Sequence, residues 1–134
     1  MQEFTLLYPQ YVEALVLVGT GVRLMVLPEI LEGIQVRFEE TVRLICVYAF
    51  SKKTSGDLIQ KGIEAMLNTS KTILYGDFAA CNRFDIMDRL ENIKAPTLVV
   101  CGGDDLLTPR STLNSWPGRL QVPDWKSSMV RATW

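Results

Sequence analysis

Two short, uninterrupted apolar runs stand out along the chain. Residues 14–19 read ALVLVG and residues 97–101 read TLVVC. Chain-breaking residues bound both: Gly19 closes the first, Pro96 opens the second, and Gly102-Gly103 ends it. A Val- and Leu-rich run with no polar alternation predicts a strand buried on both faces, hence a parallel sheet covered by helices. A proline suits the first position of such a strand, where the ladder does not need its N–H.

The connection between the runs, residues 20–96, is far longer than the roughly dozen residues a parallel crossover requires. Its pattern is helical. Leu27, Ile30, Leu31, Ile34, Phe38, Val42 and Ile45 recur at steps of three and four, which predicts one helix face. Pro28 suits the first turn of that helix, where an N–H has no partner to lose. Leu58, Ile59, Ile63, Met66 and Leu67 form a second stripe, with Ser55 as candidate N-cap. Residues 71–84 and 86–90 read as a third and a short fourth segment. Ordinary core packing accounts for each stripe, and a helical cap over an active site would account for the insertion as a whole. Ahead of the first strand, residues 3–8 read as the end of a helix stopped by Pro9. Beyond Pro109 the periodicity is gone, broken by Trp116-Pro117-Gly118 and Val122-Pro123-Asp124. The expected fold class is α/β, with two parallel buried strands flanking a helical insertion.

Composition narrows the function. The 134 residues are 48% apolar and 22% charged, as in a globular protein. Fourteen basic residues against 15 acidic ones leave a net charge of −1, which gives no electrostatic reason to expect nucleic acid or an anionic membrane as partner. No apolar stretch approaches the roughly 18 residues of a membrane span. Glu3 and the Tyr8-Pro9 break leave no signal-peptide core at the N-terminus. The widely spaced Cys46, Cys81 and Cys101 point to a reducing, cytoplasmic setting rather than to a disulfide framework or a metal site. There is no histidine, so Ser–His–Asp and Cys–His chemistry and imidazole metal sites are closed to this polypeptide alone. No cofactor and no metal are expected.

Three short motifs remain. Gly19-Thr20-Gly21 follows a strand as a dinucleotide loop would, but Val22, Arg23 and Leu24 stand where the third glycine and its helix belong. Cys101 lies in an apolar strand end with no base to activate it. Gly102-Gly103-Asp104-Asp105 is, taken alone, a glycine-rich turn with two solvated carboxylates.

Read together, the helix end, Tyr8-Pro9, the first strand, the helical insertion, Pro96, the second strand, Gly-x-x-Asp and Thr108-Pro109 resemble the latter half of a capped α/β-hydrolase. Residues 3–9 and 12–19 (VEALVLVG) resemble the end of the helix after the nucleophile elbow and the strand that follows. Residues 77–90 (DFAACNRFDIMDRL) resemble the last cap segment returning to the sheet. Residues 95–109 (APTLVVCGGDDLLTP) resemble the strand and turn that present the triad acid, and are the most diagnostic.

The resemblance covers about residues 1–109 and implies a catalytic role for Asp105, the fourth residue counted from Gly102. There a buried carboxylate would accept the Nδ1–H of a histidine and fix its tautomer, with Asp104 as a turn residue. The implied organisation is helix end and strand over 1–21, helical cap and return over 22–94, strand and acid turn over 95–109, and an aberrant tail over 110–134. The family's Gly-x-Ser-x-Gly elbow would precede Met1, and its histidine would follow a further strand after Pro109. The tail resembles no part of the fold, yet its permitted codons, read in the neighbouring frame, allow a segment ending in Gly-His-Met. Loss of one base near the Pro109 codon would produce the tail as written.

The implied function is that of a hydrolase fragment, inactive alone. Its parent would cleave an ester, amide, epoxide or carbon–carbon bond in a small, largely apolar substrate. Half of a split enzyme, completed by a chain carrying the N-terminal half, and a non-catalytic helical interaction module are the alternatives. Two strands make a marginal sheet with open edges, so self-association is expected unless such a chain covers them.

Overall fold

The computed structural model describes residues 1–109, Trp116 and residues 128–133. They form two compact units, Met1–Arg23 with Asp85–Trp134, and Leu24–Phe84. The aberrant tail proposed for 110–134 lies outside the described residues except at Trp116 and 128–133.

The first unit holds a sheet in the order β1 (Leu15–Val18), β2 (Thr97–Gly102), β3 (Ser128–Thr133). β1 and β2 are parallel, with Leu15 opposite Thr97 and Val18 opposite Val100. Both ends of this pairing are tied, by Leu15 N–H to the Pro96 carbonyl and Gly19 N–H to the Val100 carbonyl, each at 2.8 Å. This is the expected parallel pair of a partial α/β-hydrolase fold. β3 is an addition that periodicity did not foreshadow. It runs antiparallel along the other edge of β2, Thr97 opposite Thr133 through Gly102 opposite Ser128. Edge pairing is made by main-chain groups, so it can recruit a segment that carries no apolar pattern.

Burial departs from expectation in β1. Leu15 and Leu17 are buried, but Val16 and Val18 are 62% and 69% exposed. The inserted helices spend their apolar residues on a core of their own. In β2, Thr97, Val99 and Cys101 are buried while Leu98 and Val100 are half-buried. Helix α1 (Gln2–Leu7) precedes the sheet and is followed by a 3-10 turn, Pro9–Tyr11. Arg89, on the 3-10 helix Met87–Asn92, clamps Glu3 of α1 with two 2.8 Å bonds. That hydrogen bond holds the Glu3 carboxyl below the usual glutamate range. The pair therefore contributes above the ordinary glutamate pKa and fades as pH falls through the depressed value; solvent screens both side chains.

The second unit comprises α2 (Pro28–Val36), α3 (Phe38–Ala49), α4 (Gly56–Leu67) and α5 (Lys71–Arg83). The stripe from Leu27 to Ile45 belongs to two helices, not one, because the chain turns at Arg37 (φ −139°, ψ 58°). Gly33 permits the fold-back: a Cβ there would collide with the Thr41 hydroxyl and sit 3.2 Å from Thr41 Cγ2. The Thr41 hydroxyl in turn donates to the Arg37 carbonyl at 2.9 Å. Folding back brings Ile30 and Ile34 of α2 into one core with Val42, Ile45 and Cys46 of α3, joined by Ile63 and Leu74. Pro28 occupies the first turn of α2 as expected. Ser55 stands at the N-cap of α4 without a side-chain bond, whereas Ser70 caps α5 by accepting from Ile73 N–H at 3.3 Å.

The chain leaves the sheet unit at Arg23 and re-enters it at Asp85, and these two residues bridge through backbone and an ion pair of 3.3 Å. Beside them, Ile86 N–H donates to the Val22 carbonyl at 2.9 Å. Residues 85–94 thus group with the sheet unit, with Ile86 and Leu90 buried. Among the described residues no helix is long and apolar enough to cross a membrane.

Candidate active site

The C-terminal ends of parallel strands are where α/β sheets bind ligands. At this end of β1, Gly19 adopts φ +56°, a left-handed conformation that costs a residue with a Cβ about 1–2 kcal/mol. At the matching end of β2 the chain turns at Gly102, with Asp105 N–H donating to the Gly102 carbonyl at 3.3 Å.

The Asp105 carboxylate organises the rest of this turn. Oδ1 accepts from the backbone N–H of Leu107 at 3.0 Å and of Thr108 at 2.8 Å. Oδ2 accepts from the Thr108 hydroxyl at 2.7 Å. A carboxylate offers about four acceptor positions, so the hydrogen bonds within the turn leave one open on Oδ2. That oxygen lies against the Gly19 turn: a Cβ on Gly19 would stand 3.7 Å from it. Thr108 is itself buried, and its carbonyl accepts from the Cys101 thiol at 3.0 Å. The acid is thereby tied back to β2.

Asp105 is half-buried rather than buried, and Asp104 is an exposed turn residue. The Gly19-Thr20-Gly21 turn opens no helix, because α2 starts at Pro28. Cys101 is placed as a buried strut rather than a nucleophile. Among the described residues no group of three His, Cys, Asp or Glu side chains can hold a metal ion.

Two further residues, Thr108 and Gln2, contribute at this end of the sheet. Thr108 lies three residues after Asp105, and this Asp-x-x-Thr spacing is a recognisable signal for a side chain folding back onto its own turn. Gln2 carried no signal. It is 4% exposed, donates to the Gly21 carbonyl at 3.0 Å and leaves its Oε1 without a partner. Chemically, the site can hold a carboxylate in fixed orientation and present one acceptor to a donor. It cannot supply a histidine base, since the sequence has none.

Two measurements probe this construction. Gly19→Ala forces a Cβ into the left-handed region beside Oδ2 and is expected to destabilise the sheet unit by about 1–2 kcal/mol in urea unfolding. A neutral effect would show that this turn readily relaxes. Thiol titration of the native chain is expected to modify exposed Cys81 quickly and the buried Cys46 and Cys101 only on unfolding. Burial also raises the Cys46 thiol pKa, which lowers its thiolate fraction further. Equally fast modification of Cys101 would mean that the acid turn is open.

No protein-family model matches the chain, and no curated protein does. Solved structures do. A thermophilic esterase is similar with a TM-score of 0.75 and 39% identity, over 85% of this chain and 46% of the esterase. A hydrolase from Pseudomonas aeruginosa PA01 is similar with a TM-score of 0.72 and 25% identity, over the same 85% and 46%. The chain spans less than half the length of these solved structures.

Proposed function

We propose that this chain, an α/β-hydrolase-like fragment by its fold and its similarity to solved hydrolases, is the acid-bearing part of an ester hydrolase acting on small, largely apolar substrates. The observation that carries the reading is the Asp105 carboxylate, held by Leu107 and Thr108 with one Oδ2 acceptor position left over beside Gly19. Such a carboxylate accepts the Nδ1–H of a histidine, selects its tautomer and stabilises the imidazolium as the histidine takes a proton from the nucleophile. The 39% identity to an esterase supports ester cleavage over the amide, epoxide and carbon–carbon alternatives. In this reading the helical unit Leu24–Phe84 serves as the cap that selects the substrate.

A histidine base must come from outside residues 1–134, which contain none. The purified chain is therefore expected to hydrolyse p-nitrophenyl esters no faster than buffer. Grafting residues 1–109 in place of the matching segment of the thermophilic esterase is expected to give an active hydrolase. A graft that melts cooperatively yet turns over no ester would sink the proposal.

A further inference from the structure

The turn that leaves β1 is anchored at both ends. Gly19 N–H donates to the Val100 carbonyl at 2.8 Å, and the Val22 carbonyl accepts from Ile86 N–H at 2.9 Å. Thr20 and Gly21 lie between these anchors, and Gln2 reaches both of them. From the buried side of α1, its Nε2 donates to the Gly21 carbonyl at 3.0 Å. The contact with the Thr20 hydroxyl, 3.5 Å, is at the limit of a hydrogen bond, so the Gly21 bond carries the tether.

A glutamine is a costly residue for this place. It is 4% exposed, and burial removes its amide from water and freezes a flexible side chain. A methionine of about the same length would fill the position without desolvating an amide. Among the described residues the Gln2 Oε1 has no partner, so the amide does not complete a network of its own. What the glutamine supplies, and an apolar residue cannot, is a donor held on the turn.

That turn flanks the carboxylate. A Cβ on Gly19 would stand 3.7 Å from Asp105 Oδ2 and 3.9 Å from the Thr108 hydroxyl, ordinary contact distances. Oδ2 is the oxygen that accepts the Thr108 hydroxyl and keeps one acceptor position open. Asp105 is only half-buried, so the closeness of this wall decides how far water reaches Oδ2. Water at that position competes with an imidazole N–H for the same lone pair.

We propose that Gln2 is a positioning residue for ester hydrolysis. Its tether to Gly21 keeps the Gly19 turn against Asp105 and the open Oδ2 position reserved for the histidine. Gln2 touches neither substrate nor the reacting atoms and acts through Asp105; the inference rests on the hydrolase reading above. A carboxylate shielded from water raises the pKa of the imidazolium it holds, and a solvated one raises it less. Loss of the tether therefore lowers that pKa. The low-pH limb of kcat/KM, where the base must lose its proton, then moves to lower pH.

Gln2→Met in the grafted esterase is expected to lower kcat by about 10-fold or more, with KM unchanged within about twofold. The low-pH limb of kcat/KM should shift downward in the same variant. Gln10→Met, at an exposed glutamine, should change neither. In the full chain, Gln2→Met should speed hydrogen exchange at the Gly19 N–H by about 10-fold, a readout independent of activity.

A Gln2→Met graft that melts earlier yet keeps its kcat and pH profile overturns the proposal, leaving Gln2 a packing residue. Unchanged exchange at Gly19 overturns it as well. If Asp105→Asn silences the graft and Gln2→Met does not, the positioning role falls alone. If Asp105→Asn has no effect, or the graft is inactive, the acid assignment falls and takes the positioning role with it.

Discussion

Replacing Asp105 by asparagine in the grafted esterase is expected to lower kcat by about 10⁴-fold, the loss seen when a triad acid becomes an amide. The geometry makes this a clean substitution. Asparagine keeps an oxygen to accept from Leu107 and Thr108 N–H, so the turn is retained. What changes is Oδ2, which becomes an amino group and can no longer accept an imidazole N–H. The histidine of the graft would then be held in the wrong tautomer, with its acceptor nitrogen facing the amide. Asp104→Asn is the matched control: Asp104 is exposed on the same turn, and its substitution should leave kcat within about twofold. If instead Asp104→Asn abolishes turnover and Asp105→Asn spares it, the acid has been misassigned by one residue.

The largest stability effect is expected at Ile34. Its side chain is fully buried in the helical unit among residues of α2, α3, α4 and α5. Ile34→Ala removes the packed methyl groups and leaves a cavity that helices tied by Gly33 and Thr41 can only partly close. The cost is expected to be about 2–5 kcal/mol. Since a whole domain is stable by only about 5–15 kcal/mol, that loss should lower the urea midpoint of the helical unit sharply or unfold it. Val47→Ala, on the exposed side of α3, should cost less than about 0.5 kcal/mol. Far-UV circular dichroism of both variants across a urea series makes the comparison. Equal midpoints would mean that Ile34 does not lie in a packed core.

Parts of this architecture were legible residue by residue. β1 and β2 announced themselves because a Val- and Leu-rich run bounded by Gly19 or Pro96 has few other places to go. Pro28 located the start of α2, since the first helical turn tolerates its missing N–H. Asp105 emerged from the resemblance, and the Thr108 that holds it could have been anticipated from local spacing alone. The break at Arg37 was not legible, because the three-four periodicity runs straight through it. Only the contact between Gly33 and Thr41 shows why the chain folds back there. β3 was equally hidden, as its pairing with β2 is a property of main-chain groups rather than of an apolar pattern.

By itself, then, the sequence determined the parallel strand pair, the helical character of the insertion and the lack of any imidazole chemistry. Each follows from side-chain type and local spacing. Tertiary structure alone decided which valines of β1 are covered, that α1 turns its aromatic side outward, and that Asp105 lies against the Gly19 turn with one acceptor position spare. Burial and proximity are relations between segments distant along the chain, and no single segment encodes them.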